Sequence, residues 1–180
     1  MSEILCNTKY LQLKTTPTKS GSAWVYAHRP NAQDVVVILP TTEDEVLFII
    51  EERPPIQAEN KGKYTIGLAA GLVGDERLGE NAEEACKAEL LEETGLVADK
   101  IQVVANTVAS SAGCVSETFK IAIAQIKNKN IVQTPIDDGG IIADRIWIKK
   151  SEIHSWLRQK ETEGYVLTAQ MLAALYYLDK

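Results

Sequence analysis

The chain has 180 residues, 45% of them hydrophobic and 24% charged, as expected for one soluble globular domain with a substantial core. Its 25 acidic side chains outnumber 19 Lys and Arg, and the formal net charge of −6 disfavours a general nucleic-acid binder. The three cysteines lack the spacing of a zinc site or a disulfide framework, and no apolar run reaches the length of a membrane helix. The N-terminus lacks the features of a secretory signal, so we expect a cytoplasmic protein without membrane or nucleic-acid partners.

The first third of the chain predicts strands and turns. Apolar, β-compatible residues at 35–39 and 46–50 flank an acidic turn and predict a hairpin. Residues 10–14 and 23–27 predict another strand pair, separated by a Ser- and Gly-containing turn. Pro54 and its neighbour Pro55 predict the end of a strand and a polar loop that continues to residue 62.

The remaining residues predict further strands, one strong helix and two C-terminal helices. The strong helix covers residues 81–94 and ends at Gly95. The other predicted elements are strands at 64–70, 101–109, 118–126 and 145–148, and helices at 151–160, with Ser151 as N-cap, and at 166–178. Strands outnumber helices, and hairpins mix with helical crossovers, so we expect an α+β fold, a mixed α/β/α sandwich.

The helix at 81–94 has an acidic face. At about 100° per residue, Glu89, Glu92 and Glu93 fall within an arc of roughly 100°. Three smaller or apolar residues recur beside them and are expected to pack on the sheet: Ala82, Cys86 and Leu90. The carboxylates repel one another, and Glu92 and Glu93 occupy the last turn, where the helix dipole disfavours negative charge. A solvated acidic face is one interpretation, and a site for Mg²⁺ or Mn²⁺, which prefer carboxylate oxygens, is the other.

These residues belong to a longer pattern. Gly74-x5-Glu80-x7-Ala88-Glu89-Leu90-Leu91-Glu92-Glu93-Thr94-Gly95-Leu96 resembles the Nudix box, G-x5-E-x7-R-E-U-x-E-E-x-G-U, in which U is a bulky aliphatic residue. The resemblance implies a Nudix-type fold and a metal-dependent enzyme that hydrolyses a nucleoside diphosphate linked to another moiety. It implies Glu89 and Glu93 as metal ligands for Mg²⁺ or Mn²⁺, with Glu92 assisting or orienting water. The implied chemistry is metal-assisted displacement at phosphorus.

One departure from the box concerns its arginine, which Ala88 replaces. Whatever contact that arginine makes with the glutamates is missing here, and Arg77 and Lys87 are candidates to compensate for it.

The glycine of the box has two possible positions. Gly74 satisfies the written spacing, but the segment from Ala69 to Val73 resembles the P-A-G-L sequence that usually opens the motif, with Gly71 as its glycine. We favour Gly71, which lengthens the loop before Glu80 by three residues. The Ala70 carbonyl is then a candidate backbone ligand for the metal.

The resemblance extends to the ADP-ribose pyrophosphatases. Glu52-Arg53-Pro54-Pro55 resembles their Q-x-R-P-P segment, Gly21-Ser22-Ala23-Trp24-Val25-Tyr26 their N-terminal hairpin, and residues 169–178 their closing helix. This implies one Nudix domain over residues 1–180, with residues 1–30 as an N-terminal strand region that reaches the partner in a homodimer. It also implies residues 31–180 as the catalytic core. The implied substrate is ADP-ribose or a related nucleoside diphosphate sugar, cleaved to a nucleoside monophosphate and a sugar phosphate.

A second loop resembles the S-P-G-x-S-D-E segment of the same enzymes. It is Ser110-Ser111-Ala112-Gly113-Cys114-Val115-Ser116-Glu117, and the resemblance implies Glu117 as general base or additional metal contact. Ala112 replaces the proline of that pattern and Ser116 its aspartate. Another sugar nucleotide or a dinucleotide therefore remains an alternative substrate, and a weakly catalytic ligand-sensing module remains an alternative function.

Three further residues are candidates for substrate binding. Arg53 suits a charge-assisted contact with phosphate, with a structural role in the Pro54-Pro55 loop as the alternative. Trp24 and Tyr26 are candidates for stacking on the base, with core or dimer contacts as the alternative.

Overall fold

The computed structural model describes residues 2–31, 34–74, 81–136 and 141–178. The box position Glu80 and the candidate Arg77 lie outside the described residues.

The N-terminal region forms an antiparallel sheet of three strands: β1 (Glu3–Asn7), β2 (Gln12–Pro17) and β3 (Ala23–His28). The predicted strand pair is present as β2 and β3, with β2 shifted towards the C-terminus. The prediction of a hairpin extension was incomplete because β1 was missed. Its five residues are all exposed, so no alternation of buried and exposed positions marks them as a strand.

Over the residues that the structure describes, the central sheet has eight strands. In chain order they are β4 (Asp34–Thr41), β5 (Glu45–Glu51), β6 (Thr65–Gly67), β7 (Ala69–Val73), β8 (Lys100–Ala109), β9 (Thr118–Gln125), β10 (Ile142–Lys149) and β11 (Val166–Leu167). The main strand order is β11-β6-β5-β4-β9-β8, with β7 paired to β4 and β10 paired to β5. The predicted hairpin is confirmed, since β4 and β5 are consecutive antiparallel strands with Thr41 opposite Val46.

The strand predicted at residues 64–70 is divided at Leu68. Residues 65–67 pair with β5, whereas residues 69–73 pair with β4, where Val37 lies opposite Ala70 and Val36 opposite Gly71. The chain therefore crosses from one part of the sheet to the other at Leu68. This crossing places Ala70 and Gly71 beside the middle of the sheet.

In the described part of the chain, four α-helices accompany the sheet: α1 (Pro54–Ala58), α2 (Ala82–Thr94), α3 (Ile153–Thr162) and α4 (Ala169–Leu175). The polar loop predicted after residue 53 instead begins with α1, because proline is compatible with the first turn of a helix. The N-cap prediction for Ser151 was wrong, since Ser151 lies in a 3₁₀ turn and no side chain caps α3. The helix predicted at residues 166–178 begins later, because residues 166–167 form β11 and Thr168 caps α4.

The core lies on both faces of the central sheet. Alternate residues of β4 point to opposite faces, so Val36 belongs to one buried cluster and Val37 to the other. The first cluster includes Cys86 and Leu90 of α2. The second includes residues from the C-terminal helices, among them Met171, which is fully buried. This arrangement confirms the predicted α/β/α sandwich. Among the described residues, no helix is long and apolar enough to cross a membrane.

Candidate active site

Helix α2 begins and ends at residues that fix its position. The Asn81 side chain accepts hydrogen bonds from the backbone N–H groups of Glu83 and Glu84, and the Glu84 carboxylate accepts one from Asn81 N–H. This reciprocal capping box satisfies orphan N–H groups at the helix start. At the other end Gly95 adopts φ 70°, a conformation that favours glycine. With both ends fixed, the acidic face has a defined direction relative to the sheet.

Glu89 lies directly over β7. A Cβ atom built on Gly71 would stand 1.7 Å from Glu89 Oε1, a distance that atoms cannot adopt. The carboxylate of Glu89 therefore occupies the space that any other residue at position 71 would fill. This close approach supports Gly71 as the glycine of the box.

Glu93 approaches the same strand. Its Oε2 accepts a hydrogen bond from the Ala70 N–H at 3.2 Å. Burial and then repulsion from Glu89 raise the pKa of Glu93 to about 8, although the Ala70 bond acts in the opposite direction. Neighbouring carboxylates in this position need either a proton or a cation to balance their charge.

A cleft of about 820 Å³ brings most of the predicted site residues together. Six of them line it, from α2, β7, the loop before β9 and the residues after β5: Glu89, Glu92, Glu93, Ala70, Glu117 and Arg53. Glu51 and Arg29 also line the cleft, although the sequence patterns did not single them out.

The donor chemistry of the cleft fits a hard divalent cation, since carboxylate and backbone oxygens are the ligands that Mg²⁺ and Mn²⁺ prefer. Over the described ranges, no group of three or more His, Cys, Asp or Glu side chains is arranged to hold an ion. The residues that would hold the ion are Glu89 and Glu93, with the Ala70 carbonyl beside them.

Arg53 is held by a buried carboxylate. Its Nε donates to Glu51 Oε2 at 2.9 Å and its Nη2 to Glu51 Oε1 at 2.7 Å, while Glu51 is only 3% exposed. This bidentate pair fixes the guanidinium group at the wall of the cleft. The remaining donors of Arg53 are available to an anion without further ordering of the side chain.

Glu117 forms an ion pair with Arg29, whose Nε donates to Glu117 Oε2 at 3.0 Å. Both side chains line the cleft. Arg29 was missed because no local pattern joins residues that are 88 positions apart in the chain.

The 110–117 loop, which carries Glu117, is attached to the N-terminal sheet. Trp24 Nε1 donates to the Gly113 carbonyl at 2.9 Å, and Ala27 N–H donates to the Cys114 carbonyl at 2.8 Å. Ser116 N–H completes the contact by donating to the Ala27 carbonyl at 3.0 Å. The position of the loop therefore depends on β3.

Trp24 and Tyr26 do not line the cleft of their own chain. Trp24 is 51% exposed, and its indole N–H binds the 110–117 loop instead of pointing at a substrate. Stacking on a base is therefore not supported within one chain, and stacking across a homodimer stays a prediction.

Comparisons with known proteins identify the fold. No family model matches the chain, and no curated protein sequence matches it. Among solved structures, the chain is similar to a crystal structure of an ADP compounds hydrolase, with a TM-score of 0.75 and 18% sequence identity. The alignment covers 99% of this chain and 90% of that chain. At this identity the similarity shows the fold, which is of the Nudix type, as the box pattern predicted.

Proposed function

We propose that the protein is a metal-dependent pyrophosphohydrolase that cleaves ADP-ribose or a related nucleoside diphosphate sugar. The products would be a nucleoside monophosphate and a sugar phosphate. The observation that carries the proposal is the position of Glu89 and Glu93, which lie against Gly71 and Ala70 in one open cleft. A Nudix-type fold with the box glutamates in this position supports hydrolysis of a diphosphate.

The acidic helix and β7 would hold the cation. Glu89, Glu93 and the Ala70 carbonyl offer hard oxygen ligands, and Glu92 would orient water from the same face of α2. Bound Mg²⁺ or Mn²⁺ supplies positive charge to the diphosphate and lowers the pKa of a coordinated water. In the absence of that charge, Glu93 retains a proton up to about its raised pKa of 8.

The two arginines of the cleft would bind the anionic substrate. Arg53 is paired with Glu51, and Arg29 is paired with Glu117. Both guanidinium groups are therefore positioned in the cleft before the diphosphate binds. A diphosphate that binds Arg29 competes with Glu117 for its donors. Release from that ion pair would free Glu117 to accept a proton from the attacking water.

The N-terminal sheet supports a homodimer as part of this proposal. Both its strands and its turns expose large apolar side chains, a feature that monomeric proteins avoid. They are Ile4, Leu5, Leu11, Leu13, Trp24 and Val25, each between 43% and 53% exposed. A second copy of the chain would cover them and bring Trp24 and Tyr26 near the cleft of its partner.

A ligand-sensing module is the second candidate, and Ala88 in place of the box arginine is the observation that favours it. The two candidates are separated by incubating the protein with Mg²⁺ and a panel of ADP-ribose, sugar nucleotides, dinucleotide polyphosphates and nucleoside triphosphates. Mass analysis should show cleavage of a nucleoside diphosphate sugar, and Glu93→Gln should abolish it while Glu83→Gln, an exposed control on the same helix, should not. Binding without cleavage would favour the sensor.

A further inference from the structure

Helix α2 carries Glu89, Glu92 and Glu93 near its C-terminal end. Its last turn contains no Lys or Arg, and Ala88 removes the box arginine. Lys87, one of the two candidates to compensate, donates from Nζ to Glu83 Oε1 at 2.9 Å, one turn towards the helix start. Lys87 is therefore paired towards the start of α2, away from Glu92 and Glu93.

Arg145 of β10 reaches this last turn from the sheet. Its Nε donates to the main-chain carbonyl of Glu93, and its Nη2 is buried with no hydrogen-bond partner among the described residues. Trp147, two residues further along β10, packs against the buried cluster that includes Cys86 of α2. Since alternate residues of a strand share a face, Arg145 points from the sheet towards the helix.

We propose that Arg145 is a positioning residue that fixes the last turn of α2 and thereby orients Glu92 and Glu93, in place of the missing box arginine. The proposal rests on the proposed function. The last four carbonyls of a helix have no partner within it, and a cation at that end is favoured by the helix dipole. Arg145 supplies both the donor and the charge.

Arg145 links the end of α2 to the central sheet, because its own strand, β10, is paired with β5. Arg145 lies opposite Ile49 on β5, and β5 continues to Glu51, the carboxylate that holds Arg53. The end of the acidic helix is thus tied to the strand that carries one substrate-binding candidate. Loss of the arginine would loosen the carboxylates relative to the rest of the cleft.

The test uses Arg145→Met and Arg145→Lys, with Arg158→Met as the control because Arg158 is an exposed arginine on α3. Amide hydrogen exchange of the metal-free protein should become at least about tenfold faster at residues 92–95 in Arg145→Met, with α3 unchanged.

Titration with Mn²⁺ should show that Arg145→Met binds the ion at least about fivefold more weakly than the wild type. Coulomb's law alone predicts the reverse, since removal of a nearby cation strengthens Mn²⁺ binding. Arg145→Lys should fall between the wild type and Arg145→Met in both measurements.

A rescue variant separates positioning from general stability. Adding Ala88→Arg to Arg145→Met should restore kcat at least about fivefold, with KM within about twofold of the wild type. Unchanged exchange at residues 92–95, equal or tighter Mn²⁺ binding, or absence of rescue would each overturn the assignment. If Arg145→Met does not fold, Arg145→Lys carries the same three comparisons. A wild-type protein that neither binds Mn²⁺ nor cleaves any substrate would refute the proposed function, while hydrogen exchange would still decide the role of Arg145.

Discussion

At the scale of single residues, the site depends on how closely two carboxylates approach one strand. Glu89 fills the space above Gly71, and Glu93 accepts a hydrogen bond from Ala70. Neither contact offsets the repulsion between the two side chains. Burial and this repulsion raise the pKa of Glu93, and the raised pKa makes the free energy of unfolding depend on pH.

In metal-free buffer, the free energy of unfolding should fall as the pH rises from about 5 to about 8. The folded protein holds a proton on Glu93 up to a pKa of about 8, whereas the unfolded chain releases it near 4.5. Stability from this group is therefore complete below the unfolded value and lost as the pH passes the folded one. Each unit of pKa difference corresponds to about 1.4 kcal/mol, so the loss is on the order of a few kcal/mol.

Urea unfolding in the presence of a chelator measures this dependence, with Glu93→Gln as the comparison. The variant should show a flatter profile, and Mg²⁺ at pH 8 should stabilise the wild type more than the variant. Cys86, whose pKa burial raises to about 12, titrates above this window and does not obscure the result. Parallel profiles for the two proteins would show that Glu93 is not the group responsible.

The glutamates of the site could be predicted from the sequence because their chemistry depends on local spacing. Positions i, i+3 and i+4 on one helix share a face whatever surrounds the helix. Arg29 and Arg145 could not be predicted, since each meets its partner only after the sheet has formed. Their contacts join residues 88 and 52 positions apart.

At the scale of elements, the 110–117 loop is hydrogen-bonded to β3 of the N-terminal sheet, in addition to its attachment to β8 and β9. Replacing Trp24 by Phe keeps the aromatic ring and removes the indole N–H that binds the Gly113 carbonyl. One such hydrogen bond contributes about 0.5–1.5 kcal/mol, so kcat should fall about 2- to 12-fold as Glu117 is less often in place. Steady-state kinetics with the preferred substrate measures the effect.

Tyr10→Phe is the matched control for this variant, because Tyr10 is an exposed aromatic residue of the same region. It should retain the wild-type kcat. If Trp24→Phe also retains it with an unchanged melting temperature, the loop does not depend on β3 for catalysis.

Most strands and α2 could be predicted because apolar periodicity and capping residues are local. The predicted start of the C-terminal helix was wrong because tertiary contacts place residues 166–167 in a strand. Val166 and Leu167 are compatible with a helix by composition, but they pair in parallel with Thr65 and Ile66 of β6. Gain of sheet hydrogen bonds outweighs helix propensity there, and Thr168 becomes the cap of α4.

At the scale of the whole molecule, the N-terminal sheet predicts an assembly larger than one chain. Light scattering coupled to size exclusion should give twice the chain mass of 19.8 kDa. Leu13→Lys should shift the protein towards a monomer, because it places a charge in the apolar surface of the N-terminal sheet. Val97→Lys alters an exposed apolar residue outside that sheet and should leave the mass unchanged. A monomeric wild type at micromolar concentration would contradict the homodimer.

The fold class follows from the order of elements, and the Nudix-type fold agrees with the structural similarity to the ADP compounds hydrolase. The substrate does not follow from the fold, because it depends on side chains from several elements of the cleft. Arg29, Arg53 and Glu117 meet there from three separate parts of the chain.

The most direct test of the proposed activity is cleavage of ADP-ribose by the full chain with Mg²⁺, followed by mass analysis of the products. Wild-type protein should release AMP and ribose 5-phosphate, Glu83→Gln should do the same, and Glu93→Gln should be slower by at least about a hundredfold. Cleavage at an equal rate by Glu93→Gln, or no cleavage of any member of the panel, would contradict a metal-dependent pyrophosphohydrolase at this site.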